Sequence, residues 1–184
     1  GVVYGNLWIL NEKLRKKKIF SKKKLLKGKI FEKIFSDYKI GVITSVIRKE
    51  ILNQNNISFE NSYNHIGDFD LFIKLSKICE FDAIQDPVAT YRIHGENLSL
   101  KNAEKEIEEM KLWFKSNSNL LNKFQEKQFM IRLKSREFVN MKFNKNFFYT
   151  LNFFFKSSYI IKNLRNYLLL ITPKFILKKI MWYQ

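Results

Sequence analysis

The sequence predicts an α/β fold over residues 1–100, followed by an α-helical region, basic and aromatic, over residues 101–184. In the first region, apolar and β-branched runs that suit strands, such as Val2–Tyr4 and Val88–Arg92, flank an amphipathic helical pattern that begins at Phe69. In the second region, apolar residues recur at helical spacing among many charges. With 184 residues, the chain is long enough to bury the core of one domain, or of most of one.

The composition excludes several classes of protein. With 46% hydrophobic and 16% aromatic residues, the chain is not intrinsically disordered. The single cysteine, Cys79, excludes an intrachain disulfide and fits a reducing compartment. No apolar run reaches the roughly 18–20 residues that span a bilayer. Because the chain begins at Gly1 rather than at a methionine and enters a strand at once, we expect a fragment of a longer protein.

The net charge of +17 is unevenly distributed. Every charge from Lys13 to Lys29 is basic, and no acidic residue occurs from Phe138 to Gln184. Such basic ends favour phosphate on lipid head groups, nucleotides or nucleic acid, although the Lys13–Lys29 run also fits a solvated basic face. Nucleic acid is not the predicted partner, because the sequence has no zinc spacing, no RNP-type strand and no Gly-rich KH-type loop.

Local patterns predict the elements that precede the amphipathic helix. The first strand continues as an alternation through Trp8, and the basic run after it is predicted to be a loop that ends near Gly28. A helix is expected from about Ile30, where four apolar residues share one face. The run Ile40–Ile47 is either a buried strand or the start of a helix, and Asn53–Asn56 has the composition of a turn.

The segment around Asp68 gives the clearest local prediction. Asp68 occupies an N-cap position before an amphipathic helix that ends near Cys79, which we expect to be a buried, small apolar residue. Two strands are predicted next, at Phe81–Ile84 and Val88–Arg92, with a turn at Asp86–Pro87 between them.

Two blocks in this segment resemble the C-terminal part of family-2 glycosyltransferases. The block Gly67–Leu71 lies about twenty residues ahead of the block Pro87–Ser99, which contains Tyr-Arg-Ile-His and a polar loop. Members of the family carry an acid or acid pair, an aromatic and a Leu-rich helix, then a proline-containing strand that ends in Tyr-Arg-x-His. The resemblance implies the A-type glycosyltransferase fold (GT-A), with residues 1–100 as the acceptor-side part of the catalytic domain.

The resemblance extends upstream. Tyr4–Asn6 is similar to the strand that follows the metal-binding Asp-x-Asp of the family, and Thr44, Arg48 and Phe59 resemble the segment that leads to the acceptor site. The nucleotide-binding half that ends in Asp-x-Asp is missing. The resemblance therefore implies a divalent metal, Mg²⁺ or Mn²⁺, in the complete enzyme, and we expect the present chain alone to be inactive.

Asp68 is the candidate general base. Transfer of a sugar to an acceptor hydroxyl requires a group that takes the hydroxyl proton, and a carboxylate whose ionised form is favoured by a helix N-terminus suits this role. The resemblance assigns the role to Asp68, whereas its position alone fits an ordinary helix cap. Asp70 either contacts or supports the acceptor site, or is an exposed first-turn acid. A metal-binding Asp68-x-Asp70 is rejected, because that motif follows an apolar strand.

Three residues at the end of the last strand are further candidates. Arg92 suits a diphosphate, or it pairs with Glu96 or Asp86. His94 is a metal ligand or diphosphate contact, a residue that orients the loop, or an ordinary loop histidine. Asn97 is placed with them as a contact to donor or acceptor. A metal held by His94 alone would have too few oxygen ligands.

The second region has no catalytic pattern. Residues 102–115 and 119–140 are predicted helices, and Pro173 is predicted to divide the last helix in two. Between and after them, clusters of aromatic residues alternate with Lys and Arg. This pattern is typical of a segment that lies at a membrane surface, and it fits a helical subdomain that packs on the catalytic core equally well.

The sequence thus supports three functional hypotheses. The first is an inverting glycosyltransferase that uses a nucleotide-sugar donor and a glycan or lipid-linked acceptor in surface polysaccharide biosynthesis, at the cytoplasmic face of the membrane. The second is a non-enzymatic basic helical module that binds a membrane surface. The third, a nucleic-acid-binding protein, rests on charge alone and would require steeply salt-dependent binding.

Overall fold

The structure, a computed structural model, describes residues 1–94, 97, 102–145, 147–157 and 164–180. The fold is mixed α/β, and the chain divides into two compact units, Gly1–Leu98 and Ser99–Gln184. The described strands all belong to the first unit, and the described part of the second unit is helical.

The first unit is built on a four-stranded sheet. Its strands are β1 (Val2–Asn11), β2 (Lys16–Ile19), β3 (Val46–Ile47) and β4 (Phe81–Ile93). Its helices are α1 (Lys49–Gln54) and α2 (Gly67–Ile78), and a single 3₁₀ turn spans Val42–Thr44.

Strand β1 is the centre of this mixed sheet. It pairs antiparallel with β2 and β3, and parallel with β4 over its whole length, from Val2 beside Phe81 to Asn11 beside Ile93. Parallel neighbours need a crossover connection, and the connection here contains α2. The carboxyl ends of β1 and β4 therefore lie side by side.

The turn predicted at Asp86–Pro87 is wrong, because β4 continues through it. The register shifts opposite Asn6, so that β4 carries extra residues there without reversing direction. Proline lacks an N–H, and an irregular pairing tolerates it where a regular ladder does not. The composition of a turn and that of a bulge are alike, since both favour residues that interrupt regular pairing.

Aromatic side chains hold α2 against the sheet. Phe81 packs edge-on against Tyr4 at 6.4 Å and against Phe72 of α2 at 6.3 Å between ring centroids. Phe69, one turn earlier in α2, packs against Tyr38 at 5.2 Å and Phe35 at 6.1 Å. The helical apolar spacing of this segment thus produces the buried face that was predicted from it.

The region from Lys13 to Ile47 differs from its prediction. The basic run is not only a loop, since part of it forms β2. The helix expected from Ile30 is wrong: residues 31–36 form turns, although Ile34 donates a backbone hydrogen bond to the Ile30 carbonyl at 2.9 Å. Ile30 and Ile34 are nonetheless buried, so the apolar spacing marks a shared face and not a continuous helix.

Two other local predictions need correction in the same unit. The run Ile40–Ile47 forms neither a long strand nor a helix, but the 3₁₀ turn and the two-residue β3. The turn expected over Asn53–Asn56 begins later, because α1 continues to Gln54 and only Asn55 and Asn56 are turn residues.

The second unit contains helices joined by short turns. They are α3 (Ala103–Asn117), α4 (Lys123–Asn144), α5 (Phe147–Lys156), α6 (Leu164–Ile171) and α7 (Lys174–Ile180), with a 3₁₀ turn at Ser118–Leu120. Asn122 and Gln125 form a capping box at the start of α4, which explains why this helix begins later than predicted. The helix break predicted at Pro173 is confirmed.

Two apolar clusters hold the helices together. Trp113 of α3 stacks on Phe129 of α4 with 5.0 Å between ring centroids. A second cluster joins α4, α5, α6 and α7 through the buried residues Phe138, Phe154, Leu169, Leu170 and Leu177. In the part of the chain that the structure describes, no helix combines the length and apolar character that crossing a membrane requires.

Candidate functional site

Asp68 lies in the first turn of α2, but it is not the N-cap. The helix begins one residue earlier, at Gly67, and the N-cap is Ile66, whose side chain makes no capping bond. The first turn is closed when the Asp70 N–H donates to the Ile66 carbonyl at 3.0 Å. The Asp68 carboxylate, half-buried, accepts a 2.7 Å bond from the Phe69 N–H. It therefore keeps the favourable field of a helix N-terminus without the capping role.

Asp70 is buried, so its interpretation as an exposed first-turn acid is wrong. It is 2% exposed, and its carboxylate pairs with the Lys74 ammonium one turn later at 2.7 Å. Residues two apart on a helix point roughly 200° apart, so Asp68 and Asp70 face different sides of α2. This geometry agrees with the rejection of a shared metal site, and it makes Asp70 a residue that fixes α2 rather than one that reaches an acceptor.

Arg92 lies at the shared carboxyl end of β1 and β4. Its guanidinium pairs with the Glu12 carboxylate at 3.1 Å, and the Glu12 N–H donates to the Ile93 carbonyl at 3.1 Å. Sequence reasoning missed Glu12 and named Asp86 or Glu96 instead, of which Glu96 lies outside the described residues. The signal was hidden because only the parallel pairing of β1 and β4 brings residues 12 and 92 together.

Asn97 organises the chain that leaves β4. Its amide accepts a bond from the His94 N–H and donates to the Arg92 carbonyl at 3.0 Å and to the Tyr91 hydroxyl at 3.3 Å. The loop is thus oriented by Asn97, whereas His94 contributes backbone groups to this turn and its side chain is exposed. Gly95 and the residues from Leu98 to Ser99 of the resembling block lie outside the described residues.

The candidates therefore form two groups. Arg92, His94 and Asn97 share hydrogen bonds at the end of β4, and Asp68 and Asp70 share the first turn of α2. For the described ranges, no cluster of three His, Cys, Asp or Glu side chains could hold a metal ion. These residues do not fit the Mg²⁺ or Mn²⁺ that the resemblance implies, so a metal has no role in the reaction step derived for this chain.

A cavity of about 580 Å³ lies elsewhere in the first unit. The first residues of β1 and β4 line it, together with Gly28 and the ion pair of Lys27 and Asp82, whose side chains are 3.6 Å apart. The backbone N–H of Ala83 and then the charge of Lys27 lower the pKa of Asp82. None of the five candidates lines this cavity, and the pair is largely exposed, so we do not place the chemistry there.

Cys79 also differs from its prediction. It is partly exposed at the C-cap of α2, where its N–H donates to the Leu75 carbonyl at 3.0 Å. Partial burial raises the pKa of its thiol, so the thiolate is disfavoured. The residue therefore has neither the buried packing role expected of it nor the properties of a nucleophile.

No family model matches the chain, and no curated protein or solved structure is similar enough to it to count as a match. The resemblance to family-2 glycosyltransferases thus remains a prediction from the residues themselves.

Proposed function

We propose that the chain is the acceptor-side part of an inverting glycosyltransferase that moves a sugar from a nucleotide-sugar donor to a glycan or lipid-linked acceptor, in surface polysaccharide biosynthesis. The observation that carries the proposal is the position of Asp68. A half-buried carboxylate stands in the first turn of the helix that leads into β4, and β4 ends in the group of Arg92, His94 and Asn97.

In the proposed step, Asp68 takes the proton of the acceptor hydroxyl. The acceptor oxygen forms a bond to the anomeric carbon from the face opposite the leaving group, and the bond from that carbon to the diphosphate oxygen breaks. The configuration inverts, the proton stays on the Asp68 carboxyl, and the electron pair leaves with the nucleoside diphosphate. A positioned base of this kind contributes roughly 10²–10⁴-fold to the rate.

Arg92 is the proposed contact for the leaving diphosphate. Its pair with Glu12 is exposed on both sides, at 66% and 42% of the side-chain surface. Exposed pairs of this kind contribute roughly 0–1 kcal/mol. A diphosphate, which carries more charge and can accept two parallel N–H bonds, would therefore displace Glu12 at little cost. Asn97 then supports Arg92 through its carbonyl rather than by touching the donor.

The test uses the protein encoded by the complete reading frame that contains these residues. Transfer from a panel of nucleotide sugars to glycan and lipid-linked acceptors is measured for Asp68→Asn and for the matched control Asp86→Asn, an exposed aspartate in β4. We expect Asp68→Asn to lower kcat by roughly 10²–10⁴-fold, with the acceptor KM little changed. Asp86→Asn should retain activity.

Two outcomes would contradict the proposal. One is Asp68→Asn activity equal to that of the control, which would make Asp68 a structural first-turn acid. The other is the absence of transfer from every nucleotide sugar of the panel by the unmodified protein. A third variant, Arg92→Lys, separates the two groups, because loss of the bidentate fork should raise the donor KM and leave the acceptor KM unchanged.

A further inference from the structure

One end of the helical unit is formed by two chain turns that lie side by side. The ammonium of Lys174, at the start of α7, donates to the carbonyls of Phe143 at 3.3 Å and Lys145 at 3.1 Å, at the end of α4. The ammonium of Lys142 donates to the Leu170 carbonyl at 2.7 Å and lies 5.8 Å from the ring centroid of Phe147. These contacts bring the start of α5 next to the junction of α6 and α7.

This end exposes large apolar side chains from both turns. We call them the aromatic end: Phe147 at 54% exposed, Phe148 at 79%, Tyr149 at 68%, Ile171 at 74% and Phe175 at 65%. Exposed apolar residues that are scattered singly need no explanation, whereas a contiguous group of them marks an interaction site.

The exposure does not reflect a missing core. Thr150 and Phe154 occupy the buried side of α5, and Leu170 and Leu177 are buried in α6 and α7. The same helices therefore already contribute their own apolar sides to the cluster around Phe138. The aromatic end is the opposite, outward side, and its apolar residues are surplus to the packing of the unit.

Charge identifies the kind of partner. The sequence from Phe138 to Gln184 has no acidic residue, and Lys145 and Lys174 are exposed at the aromatic end itself. The nearest preceding acid, Glu137, is already paired with Lys111 and Lys134 at 2.7 and 2.8 Å. A second copy of the chain would bring like charges together, which disfavours a dimer through this surface. A partner with negative charge and an apolar interior fits it best.

We propose that the aromatic end docks on an anionic lipid surface. Phe148, Tyr149, Ile171 and Phe175 enter the boundary between head groups and acyl chains, and Lys145 and Lys174 contact the phosphates. The docking goes beyond sugar transfer and does not depend on Asp68, so either proposal can fail without the other. For a lipid-linked acceptor, it would hold the first unit at the surface where that acceptor lies.

Flotation of the full chain with vesicles tests the proposal. One set contains phosphatidylcholine alone, and the other contains equal parts of phosphatidylcholine and phosphatidylglycerol. We expect binding to the anionic vesicles, a loss of roughly fivefold in affinity for Lys145→Gln, and a loss of at least about tenfold for Phe148→Ser combined with Ile171→Ser. The control, Leu112→Ser, removes a residue of α3 that is 56% exposed and outside the aromatic end, and it should bind normally.

Circular dichroism and thermal unfolding show whether the double variant folds. Phe148→Trp keeps the aromatic character, so it should bind as the parent does and shift its emission to shorter wavelength on anionic vesicles, even if the double variant fails to fold. The proposal is overturned if neither vesicle binds, if the double variant and the control bind alike, or if Phe148→Ser instead abolishes self-association or salt-dependent RNA binding.

Discussion

The buried ammonium of Lys142 donates a 2.7 Å hydrogen bond to the backbone carbonyl oxygen of Leu170, and this bond links the last turn of α4 to α6. Lys142 is 7% exposed, and burial followed by the neighbouring charge of Lys174 lowers its pKa. A charge in such a place is costly unless it is hydrogen-bonded. The bond therefore fixes how two helices of the second unit meet.

We predict that Lys142→Met destabilises the second unit. The substitution keeps most of the aliphatic stem but leaves the Leu170 carbonyl without its donor, which should cost about 1–3 kcal/mol. Thermal unfolding followed by circular dichroism measures the effect. Lys127→Met, an exposed position on the same helix, should change stability by less than about 0.5 kcal/mol. Equal stability of the two variants would mean that removal of a buried charge compensates for the lost bond.

The second prediction concerns acid and Glu137, a carboxylate with 9% exposure that bonds to Lys111 and Lys134. Burial acts to raise the pKa of Glu137, but the hydrogen bonds and charges of the two lysines outweigh it, and the pKa lies below 4.5. A lowered folded-state pKa stabilises the fold above the unfolded-state value, and this stability is lost as the pH falls through the folded-state pKa.

Glu137→Gln should therefore lower stability at neutral pH and lose less of it on acidification than the parent does. The measurement is the free energy of unfolding between pH 7 and pH 3, determined with urea. Glu108→Gln, at an exposed position of α3, is the control and should follow the parent curve. If Glu137→Gln and the parent lose stability in parallel, the lysine pair does not hold the carboxylate in its charged form.

The third prediction concerns alkali and Tyr4 in the central strand. Burial, together with the charge of Asp37, raises the pKa of Tyr4 to about 12, and its hydroxyl donates to the Leu26 carbonyl at 2.7 Å. Because the folded-state pKa lies above the usual 10.0, the resulting stability is complete below that value and disappears as the pH rises toward 12.

Tyr4→Phe should flatten that alkaline loss, at a cost of roughly 1 kcal/mol at neutral pH for the missing hydrogen bond. Unfolding by urea at pH 8 and pH 11 measures both effects in the first unit. The exposed Tyr149→Phe serves as control and should leave the alkaline loss unchanged. An alkaline loss in Tyr4→Phe as large as in the parent would assign it to other groups, such as the lysines.

Local features of the fold could be predicted from the sequence, and long-range ones could not. The buried face of α2 and the break at Pro173 depend on residues within a few turns, so spacing and backbone chemistry suffice. The parallel pairing of β1 with β4 joins residues about eighty apart, and no local pattern encodes it. The failed helix after Ile30 shows that apolar spacing reports burial on one side, which a series of turns also satisfies.

The candidate site follows the same division. The acidity of the first turn of α2 and the basic end of β4 could be anticipated, because they lie within short segments. The burial of Asp70 depends on how α2 packs, and the pairing of Arg92 with Glu12 depends on the sheet. Both are properties of tertiary contacts, which the sequence alone did not indicate.

The last prediction concerns Asn6, whose amide holds the irregular part of the sheet. Its nitrogen donates to the carbonyls of Ser21 at 2.7 Å and Gln85 at 3.2 Å, and its oxygen accepts from the N–H groups of Leu7 at 3.0 Å and Ser21 at 3.1 Å. The side chain is 2% exposed, so water cannot readily replace these bonds. Asn6 thus joins β1, the bulged part of β4 and the chain after β2.

Asn6→Ala should destabilise the first unit by about 3 kcal/mol or more, because it leaves several buried backbone groups without partners. Asn6→Asp should be at least as damaging, since it replaces two donors with a buried negative charge beside carbonyl oxygens. Urea unfolding at neutral pH measures both. Asn55→Ala, which removes one exposed bond to the Ile51 carbonyl, is the control and should cost less than about 1 kcal/mol. A loss in Asn6→Ala no larger than in this control would mean that the register shift between β1 and β4 is maintained by the strands themselves.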